Sequence, residues 1–592
     1  DYRPIKCALA PLMMQKDLSK AAEGKISGGH FLARAIKAKG INQIFTLCGG
    51  FTNPLLIACL DFEIDVIAAR NEMEAGFLAA ATARYKREVA VCVAEPSGFT
   101  NYISAVAEAH YAGDPVIFIG VSSNTHHFDN QGFKELPQAE VVRSMTKYSV
   151  EVNEAQRMPW FFDKAFDIAS NHPTGPVQLT VPINFLFTAQ IEDKPEPGVR
   201  GFDSGRRKVH QPWPNPTDLE EAISLLNGAQ KPIIISGQDV WHSGANDDVM
   251  DFAVKKNIPV FTPFTHLKSV DVTHPMHMGL LEYHQNPCSR LVSEECDVIL
   301  MLGEKLAFPL NHGTAPLFNP ATTLVSVNAT SRELSSNMLA DVRIVSDIKG
   351  FLEALEKTGD VHPKGEAWVQ RIRQSRETSV ESYREILDAD VAPIHPLRLC
   401  VETLNALGEE DILVLDGGDI ACWAEIAINF WAFQGHKIGG VFAPGPWEQM
   451  GTGPAFATAI QMAAPTANVV LITGDGSLGL APGFTPMETA IDRKVNVTMI
   501  VANNAQWGMI REQQKAMWGR EIATQLRDVE YHRIFDAAGA FSQLVACPSD
   551  INSAISQAMA HEGPSFIEAK TQGVASPITQ GLIEMRVRTA IE

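Results

Sequence analysis

The amino-acid sequence predicts an α/β protein built from three doubly wound parallel-sheet domains. Its strand-length runs are apolar from end to end rather than alternating, as expected of strands covered on both faces. Alanine-rich helical segments such as AGFLAAATARY (75–85) lie between them, where the crossover helices of a parallel sheet belong. The pattern recurs in three blocks along 592 residues, a length that itself suggests about three domains.

An N-terminal extension covers 1–26; its apolar patch ALAPLMM is short and broken by proline, a weak match to a secretory signal. The first domain, 27–191, follows from INQIFTL (41–47), IDVIAAR (64–70), REVAVCVA (87–94), PVIFIGV (115–121) and PVQLTVP (176–182). Residues 192–216 are rich in proline, glycine and charge and read as a linker. The central domain, 217–357, holds KPIIISG (231–237), IPVF (258–261), DVILMLG (297–303) and TTLVSVN (322–328). A second linker, 358–395, carries the polar helical stretch GEAWVQRIRQSRETSVESYREI. The third domain, 396–574, contains DILVLDG (411–417), NVVLITG (468–474), VNVTMIVA (495–502) and SFIEAKT (565–571), and a tail follows over 575–592.

A net charge of −20 argues against nucleic acid or an anionic membrane surface as partner. No run of roughly 18 or more apolar residues suggests a membrane span. The nine cysteines are scattered singly, without CxxC or zinc spacing, and most read as small buried hydrophobes of a reducing, cytoplasmic compartment.

One stretch carries chemistry. LITGDGSLGL (471–480) runs an apolar strand directly into Asp475 between Gly474 and Gly476. In open α/β sheets the carboxyl ends of strands are where ligands bind. Asn503-Asn504 follows the next strand, VNVTMIVA, so neighbouring strand ends present a carboxylate and an amide together. Both are hard oxygen donors suited to Mg²⁺, and the glycines let backbone approach phosphate oxygens. Alone, each element would read as a turn; together they read as a metal–diphosphate cradle.

This pairing resembles the signature of thiamine diphosphate (ThDP) enzymes, on the branch containing acetolactate synthase and benzaldehyde lyase. The first domain is then pyrimidine-binding and the third diphosphate-binding. The resemblance assigns Mg²⁺ to Asp475, Asn504 and the backbone carbonyl of Gln506, with Gly474, Gly476 and Ser477 around the diphosphate. ARNEMEAGFLAAATARY resembles the segment that supplies the catalytic glutamate, here Glu72. WEQMGTGPAFATAI resembles the segment that props the bent cofactor, placing Met450 beneath it and the Glu448 carbonyl at its amino group. SGFTNYISAVAEAHYAGDPVIFIG resembles a conserved first-domain stretch, and Asp419 falls where a loop meets the diphosphate.

The cofactor's C2 ylid attacks a carbonyl and its ring accepts the electrons. The resemblance therefore implies C–C bond formation or cleavage beside a carbonyl, on 2-oxo acids or acyloins. A 2-hydroxyacyl-CoA lyase or oxalyl-CoA decarboxylase-like enzyme, or a simple 2-oxo acid decarboxylase, is the alternative; a catalytically silent relative is disfavoured because Glu72, Asp475 and Asn504 are all present. It also implies a homodimer or tetramer with sites at the subunit interface. FAD or ADP occupies the central domain of some relatives, but KPIIISGQDVWHSG lacks GxGxxG, so a structural role is expected there.

The sequence departs from the family on the substrate side. Asn71 stands where a histidine usually precedes the glutamate, and Phe51 where benzaldehyde lyase-like enzymes carry a histidine. Lys134 replaces a glutamine; it is either a solvated loop residue or faces the thiazolium, where it would favour an anionic substrate. Trp507 either walls the substrate pocket or packs. His126-His127 read as loop residues.

Overall fold

The computed structural model describes residues 23–188, 190–194, 211–281, 287–335, 340–359 and 361–591. Most of the expected extension, ALAPLMM included, and residues 195–210 of the first linker lie outside the described residues.

Three six-stranded sheets, parallel throughout, organise the chain. The first runs Asp65–Ala68, Gln43–Thr46, Ala90–Ala94, Val116–Ser122, Val177–Pro182, Tyr148–Glu151 across its width. The third runs Gly440–Phe442, Ile412–Leu415, Val469–Gly474, Thr498–Asn503, Ser565–Lys570, Phe541–Val545. With strands numbered along the chain, both have the order 2-1-3-4-6-5. The central sheet has the order 3-2-1-4-5-6: His277–Leu280, Val260–Thr262, Pro232–Ser236, Val298–Leu302, Thr323–Asn328, Val342–Val345. A short antiparallel pair, Lys25–Ile26 with Ile191–Glu192, closes the first domain.

The central strands form because their apolar residues are covered by helices on both faces; Val469 to Ile472 are fully buried. Helix Glu72–Lys86 shows the same logic at a domain boundary. Nearly all of its residues from Ala75 to Arg84 are buried, so no polar stripe runs along it. Alanine combines high helix propensity with small size, and close packing follows. A Cβ at Gly76 would come within 2.5 Å of the Ala105 methyl on helix Pro96–Ala112.

The outer face of that helix packs on helix Gly453–Ala463 of the third domain, with Phe77 and Phe456 rings 6.5 Å apart. First and third domains thus share one apolar core, while the central domain has its own. Among the described residues no helix is long and apolar enough to cross a membrane. Cys59, Cys92, Cys288, Cys296, Cys400 and Cys422 are buried thiols.

Candidate active site

Strand register brings the two halves of the motif together. Gly474 stands opposite Ala502 in the parallel ladder, so Asp475 and the Asn503-Asn504 pair leave adjacent strands side by side. They open into a cavity of about 110 Å³ whose lining includes Gly474, Asp475, Gly476, Ser477, Asn504, Gln506, Trp507, Met450 and Asp419.

Asp475 is 3% exposed, and its Oδ2 is buried without a hydrogen-bond partner. Burial pushes its carboxyl up to about 6, only partly opposed by the N–H groups of Gly476, Ala505 and Asn504. A buried carboxylate oxygen without a donor calls for a cation. With an amide oxygen beside it the donor set is hard, and it fits Mg²⁺.

The paired asparagines have different work. Asn503 donates from Nδ2 to Glu568 Oε1 at 2.7 Å and to the Val529 carbonyl at 3.1 Å, pinning the strand end. Asn504 faces the cavity, its Oδ1 accepting from the Gln506 N–H at 3.1 Å. The Gln506 side chain is held by Arg511 and packs against Gly573, so a metal contact from Gln506 falls to its main chain. Trp507 both walls and packs: its indole lies against Gly476, where a Cβ would come within 2.6 Å of the ring.

Sequence reasoning missed Asp416, which organises this half of the site. It follows strand Ile412–Leu415 and is fully buried. Its oxygens accept from the N–H groups of Gly451 (3.2 Å) and Gly453 (3.0 Å) and from the Ser477 hydroxyl (3.2 Å). Burial raises its carboxyl despite these donors. Asp416 therefore ties the loop carrying Met450 to the Gly-Asp-Gly turn. A strand-end aspartate before a double glycine, LVLDGG, was the available signal.

Asp419, three residues on, turns its carboxylate elsewhere. It accepts from the Ser576 N–H at 3.1 Å and from the hydroxyls of Ser576 and Thr579 at 2.5 Å, fastening the tail to the cavity wall. Glu448 is exposed, in the left-handed region at φ 52°, and Gly451 follows at φ 85°. Met450 is half-buried at the cavity between them.

The first domain presents a second cluster. Glu72 opens its helix after strand Asp65–Ala68, and Asn71 caps that helix through Met73 N–H at 2.8 Å. Asn71 thus takes a structural task at the position of the usual histidine. Asn101 Nδ2 donates to Glu72 Oε2 at 2.8 Å. Gly98 lies against the same carboxylate; a Cβ there would be 2.3 Å from Oε1.

Beside them, Glu95 accepts from the Phe51 N–H at 2.9 Å and from Lys134 Nζ at 2.8 Å. Burial works to raise the Glu95 carboxyl, but the Lys134 and Phe51 donors outweigh it and hold it below its ordinary value. Of the two readings of Lys134, solvated loop residue or charge facing the cofactor, neither has it unpaired: Glu95 already answers its charge. His126 and His127 are exposed on a short turn.

Among the described residues, none of the first domain lines the Asp475 cavity. The two domains are nonetheless locked together within the chain. Buried Arg84 pairs with Asp114 (2.6 Å) and Glu108 (2.9 Å) and donates to the Ala443 carbonyl (2.8 Å). Glu108 in turn accepts from the Gly445 N–H at 2.6 Å, on the loop leading to Met450. Glu74 binds the Thr489 hydroxyl across the same boundary.

At the ends of the central sheet's middle strands the chain packs closely on itself. A Cβ at Gly237 would be 2.4 Å from the Glu304 side chain, and Gly303 sits against Asp239, so the chain itself fills both close approaches. Burial and the Glu333 charge push Asp239 up to about 8.

Comparison with known proteins agrees with this layout. Residues 26–141 match the thiamine pyrophosphate enzyme N-terminal TPP binding domain, 219–355 the central domain, and 419–569 the C-terminal TPP binding domain. The chain belongs to the thiamine pyrophosphate enzymes, on their acetolactate synthase-like branch, and is an enzyme of that lyase and transferase class. It is 26% identical over 559 residues to the acetolactate synthase large subunit IlvG of Mycobacterium tuberculosis, covering 93% of this chain and 96% of that one. Human 2-hydroxyacyl-CoA lyase 2 is 25% identical over 554 residues, covering 88% and 85%. The crystal structure of benzoylformate decarboxylase from Polynucleobacter necessarius superposes with a TM-score of 0.78 at 18% identity, over 93% of this chain and 99% of that one.

Proposed function

We propose that this protein is a ThDP- and Mg²⁺-dependent carboligase or lyase acting on 2-oxo acids or acyloins, working as a homodimer or tetramer with sites between subunits. The observation that carries the reading is the division of the machinery. Asp475, with its unpartnered oxygen, and Asn504 line one cavity, while Glu72 is fixed on another domain that contributes nothing to that cavity. A second copy of the chain supplies the missing half of each site.

Asp475, Asn504 and the Gln506 main chain would hold the metal, and Gly474, Gly476 and Ser477 would surround the diphosphate. Bound ThDP supplies the carbon nucleophile and the electron sink. Glu72 has one oxygen held by Asn101, which leaves Oε1 to share a proton with a ring nitrogen. Met450 stands in the cavity as an apolar prop.

The 2-hydroxyacyl-CoA lyases among the relatives support a second reading, cleavage of 2-hydroxyacyl thioesters. The net charge of −20 opposes it, because a CoA moiety brings several phosphates. Purified protein loaded with ThDP and Mg²⁺ is incubated with 2-oxo acids, acyloins and 2-hydroxyacyl-CoAs and the products read by mass spectrometry. Turnover of acyloins or 2-oxo acids supports the first reading; turnover of thioesters alone replaces it with the second.

A further inference from the structure

The first and third sheets share the order 2-1-3-4-6-5, so positions in one have counterparts in the other. Asp475 follows the third strand of its sheet, Val469–Gly474, at the crevice where strand order reverses. Glu95 follows the third strand of the first sheet, Ala90–Ala94, and stands at the corresponding crevice. That is where open α/β sheets bind ligands. It is also one helical turn from Gly98, against which Glu72 rests.

Three loops converge on Glu95. Although it is the N-cap residue of helix Pro96–Ala112, its carboxylate does not cap that helix. It reaches instead to the Phe51 N–H and to Lys134. Gly49 makes room, since a Cβ there would be 2.2 Å from the Glu95 carboxyl carbon. Lys134 takes φ 61°, a left-handed backbone that a non-glycine residue adopts only against steric cost. Its ammonium lies 5.5 Å from the Phe51 ring centroid and 5.4 Å from that of Phe133. Phe133 is 72% exposed, an apolar wall that the described residues leave largely uncovered.

The pair is neutral as a whole. A carboxylate arriving here meets Glu95 together with Lys134, and repulsion from one cancels attraction to the other. A neutral carbonyl or hydroxyl oxygen meets an ammonium with three donors, not all used by Glu95, beside two ring faces. We infer that the Glu95–Lys134 pair, walled by Phe51 and Phe133, is the specificity element of the substrate half-site and selects neutral 2-hydroxy carbonyl compounds of the acyloin type over free 2-oxo acids. This inference rests on the proposed function and narrows its substrate class.

Acetoin and pyruvate test it, since they share an acetyl group and differ in what it bears. Turnover of both is measured on the ThDP- and Mg²⁺-loaded protein, and binding by calorimetry on loaded Glu72→Gln protein. Acetoin is expected to exceed pyruvate by about tenfold or more in both, the scale of one charge-assisted hydrogen bond. Glu95→Gln keeps the acceptor for Phe51 but leaves Lys134 unanswered, and should raise pyruvate relative to acetoin by about tenfold. Lys134→Gln leaves Glu95 unanswered and should lower pyruvate further.

A loaded wild type that prefers pyruvate, or a folded Glu95→Gln variant whose ratio stays within about twofold, overturns the inference while the proposed function stands. Should Glu95→Gln not fold, Lys134→Gln decides alone, and an unmoved ratio there overturns it. Wild-type protein that binds no ThDP overturns the proposed function and this inference together.

Discussion

Asn101 donates its side-chain amide to Oε2 of Glu72 at 2.8 Å, so the two carboxylate oxygens of Glu72 are not equivalent. One is fixed by that donor and the other lies against Gly98. Glu72→Gln keeps the shape but removes the exchangeable carboxyl proton. It should lower kcat by about 10²–10⁴-fold, the usual scale of general acid–base catalysis. ThDP affinity, measured by titration, should stay within a few-fold of wild type.

Gly98→Ala acts on the same contact by crowding. The added methyl would sit 2.3 Å from Oε1 and 2.6 Å from the carboxyl carbon, so Glu72 must move. Overpacking of this kind costs about 1–3 kcal/mol of stability, read from the denaturant midpoint. Displacement of the catalytic carboxyl should also lower kcat by about tenfold or more.

Arg84→Met tests the lock between first and third domains. Asp114 and Glu108 would be left buried without a cation, which typically costs about 3–5 kcal/mol in unfolding free energy. Burial opposes the Arg84 charge, and those two carboxylates are what sustain it. Because Glu108 also holds the Gly445 N–H, the loop toward Met450 should loosen. The variant is expected to bind ThDP more weakly as well as unfold earlier.

Asp239 gives a pH dependence whose sign is fixed. Its folded-state value is raised from 3.8 to about 8, so the folded protein binds a proton there that the unfolded chain has lost. Stability from this group is therefore full below about pH 4 and declines as pH rises toward 8. Asp239→Asn should flatten that decline: thermal midpoints at pH 6 and pH 8 should lie closer together than in wild type. An unchanged gap would contradict the assignment of the slope to Asp239.

Legibility in the sequence followed burial. Strands such as Val469–Gly474 and Val116–Ser122 are covered on both faces and read as unbroken apolar runs. The strands not read from sequence, Tyr148–Glu151, His277–Leu280, Val342–Val345, Gly440–Phe442 and Phe541–Val545, all lie at sheet edges. Val342–Val345 alternates buried and exposed residues over only four positions, too short to stand out. In the site, Gly-Asp-Gly and Asn-Asn carry their chemistry in local spacing. Asp416 and Glu95 act through partners far along the chain, at Gly451 and Lys134, and only the fold brings those together. The resemblance set Asp419 where a loop meets the diphosphate; it lines the cavity, and its carboxylate is held by Ser576 and Thr579, partners no local motif announces.

The proposed assembly of each active site from two chains can be tested by mixing variants. Asp475→Ala removes the proposed metal ligand and should weaken Mg²⁺ and ThDP retention by at least about a hundredfold, since even outer-shell changes cost up to that much. Glu72→Gln alone should also be nearly inactive. When the two variant chains are co-expressed and purified as one assembly, a mixed dimer carries both substitutions in one site and neither in the other. Random pairing then restores about a quarter of wild-type activity. Restoration near that level is the result expected. No recovery beyond the two single variants, with mixed dimers demonstrated by mass spectrometry, would show that Glu72 and Asp475 serve one site within a single chain and would contradict the account.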